Sequence, residues 1–175
     1  WQMPMSGLLL TGKRCEADMY LEHDTFKTVV DSTCLVSIDL VITRSDGRVL
    51  LGRRVNRPAQ GYWFVPGGRV FKNESLDAAF SRLTALELGT SFERTNSGFL
   101  GVYEHFYDNS VFEAQPVQVS THYVVMAHHV NLAESVELNL PSDQHAAYVW
   151  WTLDEIKDSP LVHHYTRAYL AALTQ

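Results

Sequence analysis

The chain has 175 residues, 46% hydrophobic, 11% aromatic and 19% charged, which suits one compact core and excludes a disordered, collagen-like or low-complexity chain. Lys and Arg number 14 against 20 Asp and Glu, a net charge of −6, so the overall field does not hold the protein to nucleic acid or anionic lipid, although a local basic patch can still bind an anion. The longest apolar stretches are too short to span a bilayer, the N-terminus lacks the layout of a secretory signal, and two cysteines, Cys15 and Cys34, do not make a disulfide framework; a reducing, cytoplasmic setting is the expectation.

Residues 1–18 show no clean periodicity and read as an N-terminal extension, non-native or upstream of a natural start near Met19, with a single domain over 19–175. Within the extension, Gly7 to Lys13 has the glycine and lysine spacing of a phosphate-binding loop. Arg14 stands where Ser or Thr is needed to hold magnesium, and no strand precedes it, which argues against a nucleotide loop there. From Met19 the elements are regular. Asp24 caps a short helix running to Ser32, and Val36 to Thr43 is a β-branched strand with Asp39 as its odd polar member. Ser45 to Arg48 is a turn, and Val49 to Arg53 returns as a hairpin partner. Trp63 to Val65 is a short strand stopped by Pro66. Gly67 and Gly68 then release the chain towards a helix from about Glu74 to Leu88, closed by Gly89. Phe99 to Tyr107, Thr121 to Val130 and Tyr148 to Trp151 are strands, Thr152 and Glu155 make a capping box, and Leu161 to Leu173 is a last helix. Strands and helices mix without regular βαβ repetition, so the fold class is α/β, an α/β/α sandwich around a mixed sheet.

The chemistry concentrates in Gly68-x5-Glu74-x7-Arg82-x4-Glu87-x-Gly89, where a strand crosses a glycine loop into a helix. The paired glycines let backbone approach a ligand closely. Leu76, Phe80 and Leu83 share one helical stripe, and Glu87, four residues on, falls at its margin. Alone, such a glutamate would read as a solvated flank. On a buried margin it is costly unless a cation or hydrogen bonds compensate it, and magnesium shared with a loop carbonyl and substrate phosphates would do so. Arg82 can steady Glu74 through a forked hydrogen bond.

This spacing resembles the Nudix box, the loop-and-helix motif of hydrolases acting on nucleoside diphosphates linked to another group. Leu83 and Leu86 stand where most Nudix enzymes carry further glutamates. The stretch Asn56 to Val70, with Arg82-Leu83-Thr84, Gly101-Val102-Tyr103, His105-Phe106-Tyr107, Thr121-His122-Tyr123 and Gln144-His145, resembles the GDP-mannose mannosyl hydrolase branch of that family from Met19 to about Tyr169. The resemblance implies a Nudix-type sandwich and one magnesium ion per site, replaceable by manganese, held by the Gly67 carbonyl, the Glu87 carboxylate and the Gln144 amide oxygen. It implies His145 as general base and Arg54, Arg69 and Tyr123 on the diphosphate, where they stabilise charge as GDP leaves. Asp39 and His105 fall near the sugar or the leaving group. Water would attack the anomeric carbon of GDP-mannose, or of GDP-glucose, with inversion, in a homodimer that binds neither nucleic acid nor membrane.

The chemistry is coherent: a diphosphate leaves readily once its charge is neutralised, and an inverting displacement needs a base on the opposite face of the sugar. An imidazole titrates close to working pH. Two other readings share the fold: a pyrophosphohydrolase cutting between phosphates, and a nucleotide-sugar-binding domain without turnover. The other histidines, His23, His122, His128, His129, His163 and His164, read as strand or helix surface, and His128 and His129 point to opposite faces. The arginines at 53, 54, 57 and 69 crowd around a glycine loop and favour an anion site, with a structural ion pair as the alternative for Arg57, and Tyr103, His105 and Tyr107 read as one wall of a pocket. Tyr62 and Trp63 read as packing rather than as a guanine platform, and Cys34 as an inert buried thiol. Asp108 to Ser120 diverges from the family pattern, which leaves the preference between hexoses open.

Overall fold

The computed structural model describes residues 21–112, 119–141 and 145–174. Strand β1 (Leu35–Thr43) is buried along almost its whole length, so it must be covered on both faces. It runs parallel to β6 (Thr121–Asn131), from Leu35 opposite Tyr123 to Thr43 opposite Asn131. Strand β5 (Gly98–Tyr107) pairs antiparallel with β6 and ends the sheet on that side. On the other side β1 meets β2 (Val49–Arg54) at the hairpin end, where Thr43 lies opposite Val49. Beyond that point the two strands take separate partners. β1 pairs with β4 (Gly67–Arg69), while β2 takes β3 (Trp63–Phe64) and β7 (His145–Trp151). The sheet is thus mixed and seven-stranded.

The alternation along β1 divides the core. Ile38, Leu40 and Ile42 pack with Ala79, Phe80, Leu83 and Leu88 of helix α2 (Leu76–Leu88). Val41, with Val49 and Leu51 of β2, packs on Ile156 of α3 (Leu153–Asp158), on Val162 ahead of α4 (His164–Ala168) and on Tyr169 between α4 and α5 (Leu170–Leu173). Helix α1 (His23–Ser32) sets Val30 against Leu35, Phe112 and Val119. The expected α/β/α sandwich is therefore present. In α2, Ser75 accepts from the Ala78 amide and Gly89 adopts a left-handed φ of 69°, so both ends are capped by the residue types that favour them. Emptying the fully buried Phe80 position would cost about 3–5 kcal/mol.

Several expectations need correction. Helix α2 begins at Leu76 rather than Glu74, and Leu76 is 36% exposed; the buried stripe is Ala79, Phe80, Leu83, Thr84, Glu87 and Leu88. Helix α1 starts at His23 behind Glu22, with Asp24 in its first turn and no side-chain cap. Gly67–Arg69 forms a strand that residue propensity does not suggest, because the divergence of β1 from β2 leaves β1 an open edge. The last helix is split, with Tyr169 between α4 and α5. Cys34 is exposed, whereas His128 and His163 are buried. The 1–18 extension with its Gly7–Lys13 loop, Cys15, Gln144 and the middle of the Asp108–Ser120 stretch lie outside the described residues.

Candidate active site

The Pro66-Gly67-Gly68 bend reaches β1 directly: the Leu40 amide donates to the Pro66 carbonyl, and Gly67 sits opposite Asp39. A Cβ on Gly67 would lie 2.5 Å from the Ile38 carbonyl oxygen and 2.9 Å from Asp39 Oδ1. Only glycine fits that approach. The loop is tied to α2 by a fork. Arg82 Nε donates to Glu74 Oε1 at 2.7 Å and Nη2 donates to Oε2 at 2.8 Å. The same Nη2 donates to the Arg69 carbonyl, and Glu74 Oε2 accepts from the Phe71 amide. Despite partial burial, these donors hold the Glu74 carboxyl below its ordinary pKa.

Glu87 is a different carboxylate. It is 2% exposed, and burial lifts its pKa to about 7 against the pull of Arg54. Its Oε2 lies 3.8 Å from His145 Nδ1, too far for a hydrogen bond. His145 is the first residue of β7, opposite Arg54 of β2, not a loop residue. Its Nδ1 contacts the Tyr148 hydroxyl at 3.1 Å, and burial with Arg54 nearby lowers its pKa to about 4. Its buried Nε2 makes no hydrogen bond to the described residues. The ring lies flat over Gly52 of β2, where any Cβ would run into it. Gly52 was not singled out from the sequence, although a glycine inside a strand signals close approach.

A cavity of about 290 Å³ opens onto Glu87, while His145, 2% exposed, lies behind its lining. Glu87, Leu83, Leu86 and Gly67 line it together with Arg54, Arg57, Arg69 and Arg82. Asp39, His105, Tyr107 and Tyr123 complete the wall. Arg54 donates to the Pro58 carbonyl at 2.9 Å, and its charge is felt by Asp39, Glu87, Tyr123 and His145 alike. Arg69 lies over the Phe26 ring at 4.0 Å. Burial raises the Tyr123 pKa, keeping it a phenol that can donate. Tyr103 instead packs its ring on Tyr169 at 4.7 Å, while Trp63 packs on Trp151 and Tyr62 is 43% exposed.

Asp39 is buried against Tyr169, whose hydroxyl donates to Oδ2 at 2.6 Å. Burial raises the Asp39 pKa to about 6, opposed by that bond and by Arg54. The same hydroxyl lies 3.2 Å from His105 Nε2, and the His105 ring stacks on Tyr165 at 3.9 Å. Tyr169 lies 130 residues from Asp39 in the chain, and no local pattern announces their contact.

Among the described residues no three His, Cys, Asp or Glu side chains form a metal-binding cluster. A cation here would rest on one carboxylate with carbonyl or amide oxygens and ligand phosphates, a hard-oxygen set suited to magnesium. The raised pKa of buried Glu87 fits that demand, because a bound cation would favour the ionised form. No helix among the described residues is long and apolar enough to cross a membrane.

A glycine bend, an Arg-steadied acid and a buried acid at the end of one helix define a Nudix hydrolase. A family model described as NUDIX domain matches residues 35–172, and the chain belongs to that family. It is 42% identical over 156 residues to the low-salt glycan biosynthesis protein Agl8 of Haloferax volcanii, covering 87% of this chain and 90% of that one. The MutT NUDIX hydrolase from Burkholderia pseudomallei is 31% identical with a TM-score of 0.61, over 81% of this chain and 98% of that one. The NUDIX domain of Shewanella oneidensis NrtR, cocrystallised with ADP ribose, shares the fold at 18% identity and a TM-score of 0.58, over 89% of this chain and 100% of that one.

Proposed function

We propose that the chain hydrolyses a GDP-hexose, GDP-mannose foremost and GDP-glucose as the alternative hexose, to GDP and free sugar. One observation carries the reading: α2 offers the cavity Glu87 but has leucines at 83 and 86, and Arg54, Arg57 and Arg69 line the same cavity. A site with one helix acid and many cations is poor in bases for attack at phosphorus and well equipped to accept a departing diphosphate. The name of the Haloferax volcanii relative, a glycan biosynthesis protein, suits a sugar nucleotide.

In this reading the Gly67 carbonyl, Glu87 and Gln144 hold one magnesium or manganese ion, whose chemistry is to neutralise the diphosphate. Arg54, Arg69 and the Tyr123 phenol bind the phosphoryl oxygens and stabilise the charge that builds as GDP leaves. A water oxygen bonds to the anomeric carbon, the carbon–oxygen bond to the diphosphate breaks, and its electron pair departs with GDP. His145 takes the proton of that water as a neutral ring, although burial, which lowers its pKa to about 4, makes it a weaker base than an ordinary imidazole. Asp39 and His105 face the sugar end. Residues 19–175 act as the single catalytic domain. The homodimer rests on the family resemblance, and the cytoplasmic setting is in keeping with the free Cys34 thiol.

Product analysis with GDP-mannose and excess magnesium tests the reading. GDP with free reducing hexose is expected. GMP with hexose 1-phosphate would establish the pyrophosphohydrolase instead, and binding without turnover would establish a non-catalytic domain.

A further inference from the structure

The Tyr169 hydroxyl has one proton and sits between two polar groups of the cavity wall. That proton goes to Asp39 Oδ2 at 2.6 Å. The hydroxyl oxygen can then only accept from His105 Nε2, 3.2 Å away. We propose that Tyr169 is a positioning residue for the sugar end of the site: it locks His105 as the Nε2–H tautomer, so that His105 Nδ1 and Asp39 Oδ1 are left as paired hydrogen-bond acceptors for a polyhydroxylated group. The assignment of this end to the sugar rests on the proposed function; the tautomer lock does not.

Three observations support the lock. Tyr169 is 1% exposed and its ring is held edge-on by Tyr103, so the hydroxyl has little freedom to turn away. The His105 ring is fixed by its stack on Tyr165, whose own hydroxyl is committed to the backbone of Phe106. Burial and the neighbouring His163 and His164 lower the His105 pKa to about 3, so the ring is neutral and carries one N–H. Nδ1 makes no hydrogen bond to the described residues. The remaining wall is rich in donors, with Arg54, Arg57, Arg69 and the Tyr123 phenol. Two acceptors in a cavity otherwise lined by these donors suit a ligand with both charges and hydroxyl groups, diphosphate to the arginines and hydroxyl groups to Asp39 and His105.

The test has two arms. Nitrogen–proton correlation spectra of the wild-type protein should show His105 protonated at Nε2, and Tyr169→Phe, which keeps the ring, should lose that preference. Protonation at Nδ1 in the wild type, or an unchanged tautomer in the variant, overturns the lock. In the second arm Tyr169→Phe should lower kcat/KM on GDP-mannose about 10- to 100-fold while GDP affinity stays within about twofold. The loss should largely vanish in a His105→Gln background, because both changes break the same unit. Equal loss of GDP affinity, or full additivity, makes the role structural and overturns the proposal. Absence of GDP-mannose turnover in the wild type would defeat the proposed function and the sugar assignment, while the spectra still decide the lock.

Discussion

Glu74 and Glu87 lie 13 residues apart at the two ends of one loop-and-helix unit, yet their surroundings move them in opposite directions. Glu74 faces a guanidinium fork and a backbone amide, and its carboxyl is held in the ionised range. Glu87 lies 3.8 Å from the His145 imidazole on the cavity wall, and burial lifts it to about 7 against the pull of Arg54. The first is satisfied inside the protein and serves structure. The second is buried on the wall of the cavity, where a bound cation would favour its ionised form. The contrast separates architecture from chemistry in the Nudix unit: one acid is held ionised by the chain's own donors, and the other is buried on a cavity wall with its pKa raised.

Replacing Glu87 sharpens the contrast most. Glu87→Gln should cut divalent-dependent turnover at least about 100-fold in steady-state assays while the fold persists. Its stability should move the other way. A raised carboxyl pKa means that the native state binds more protons than the unfolded chain between about 4.5 and 7, so stability falls as pH rises through that window. Metal-free Glu87→Gln should therefore gain about 1–3 kcal/mol at pH 8 in chelator-containing denaturation experiments, and almost nothing near pH 4. An equal gain at both values would deny that burial of the charge is the cause.

Breaking the other acid should cost structure first. Arg82→Ala leaves Glu74 without its fork and should lose about 2–4 kcal/mol by urea denaturation, with activity falling because the loop loosens. Gly52→Ala tests the imidazole beside Glu87: a Cβ collides with the His145 ring, and the expected result is about a tenfold fall in kcat with about 1–2 kcal/mol of destabilisation. The smallest effect concerns His163, which burial lowers to about 4. A depressed histidine contributes stability above pH 6.5 that is lost as pH falls towards 4, so His163→Gln should flatten the acid limb of the stability profile by up to about 2 kcal/mol.

How much of this was legible depends on the range of the interactions. The Glu74–Arg82 fork, the Gly89 cap and the Thr152–Glu155 capping box are local, and their spacing alone announces them. So is the burial of Glu87, which follows from its place four residues beyond Leu83. The corrections come from tertiary context. Gly67–Arg69 becomes a strand only because β1 needs a partner, and His145 belongs to a strand because β7 extends to meet Arg54. The helical period puts Leu76 in the core stripe, yet it sits in the first turn of α2, at the rim. The tie between Asp39 and Tyr169 joins the beginning of the domain to its end, and periodicity carries no information at that distance.

The central claim is the site of bond cleavage. Hydrolysis of GDP-mannose in isotopically labelled water, followed by mass analysis of both products, tests it directly. The label should enter the hexose and leave GDP unlabelled; label in a phosphate would contradict the account, because water would then have attacked phosphorus.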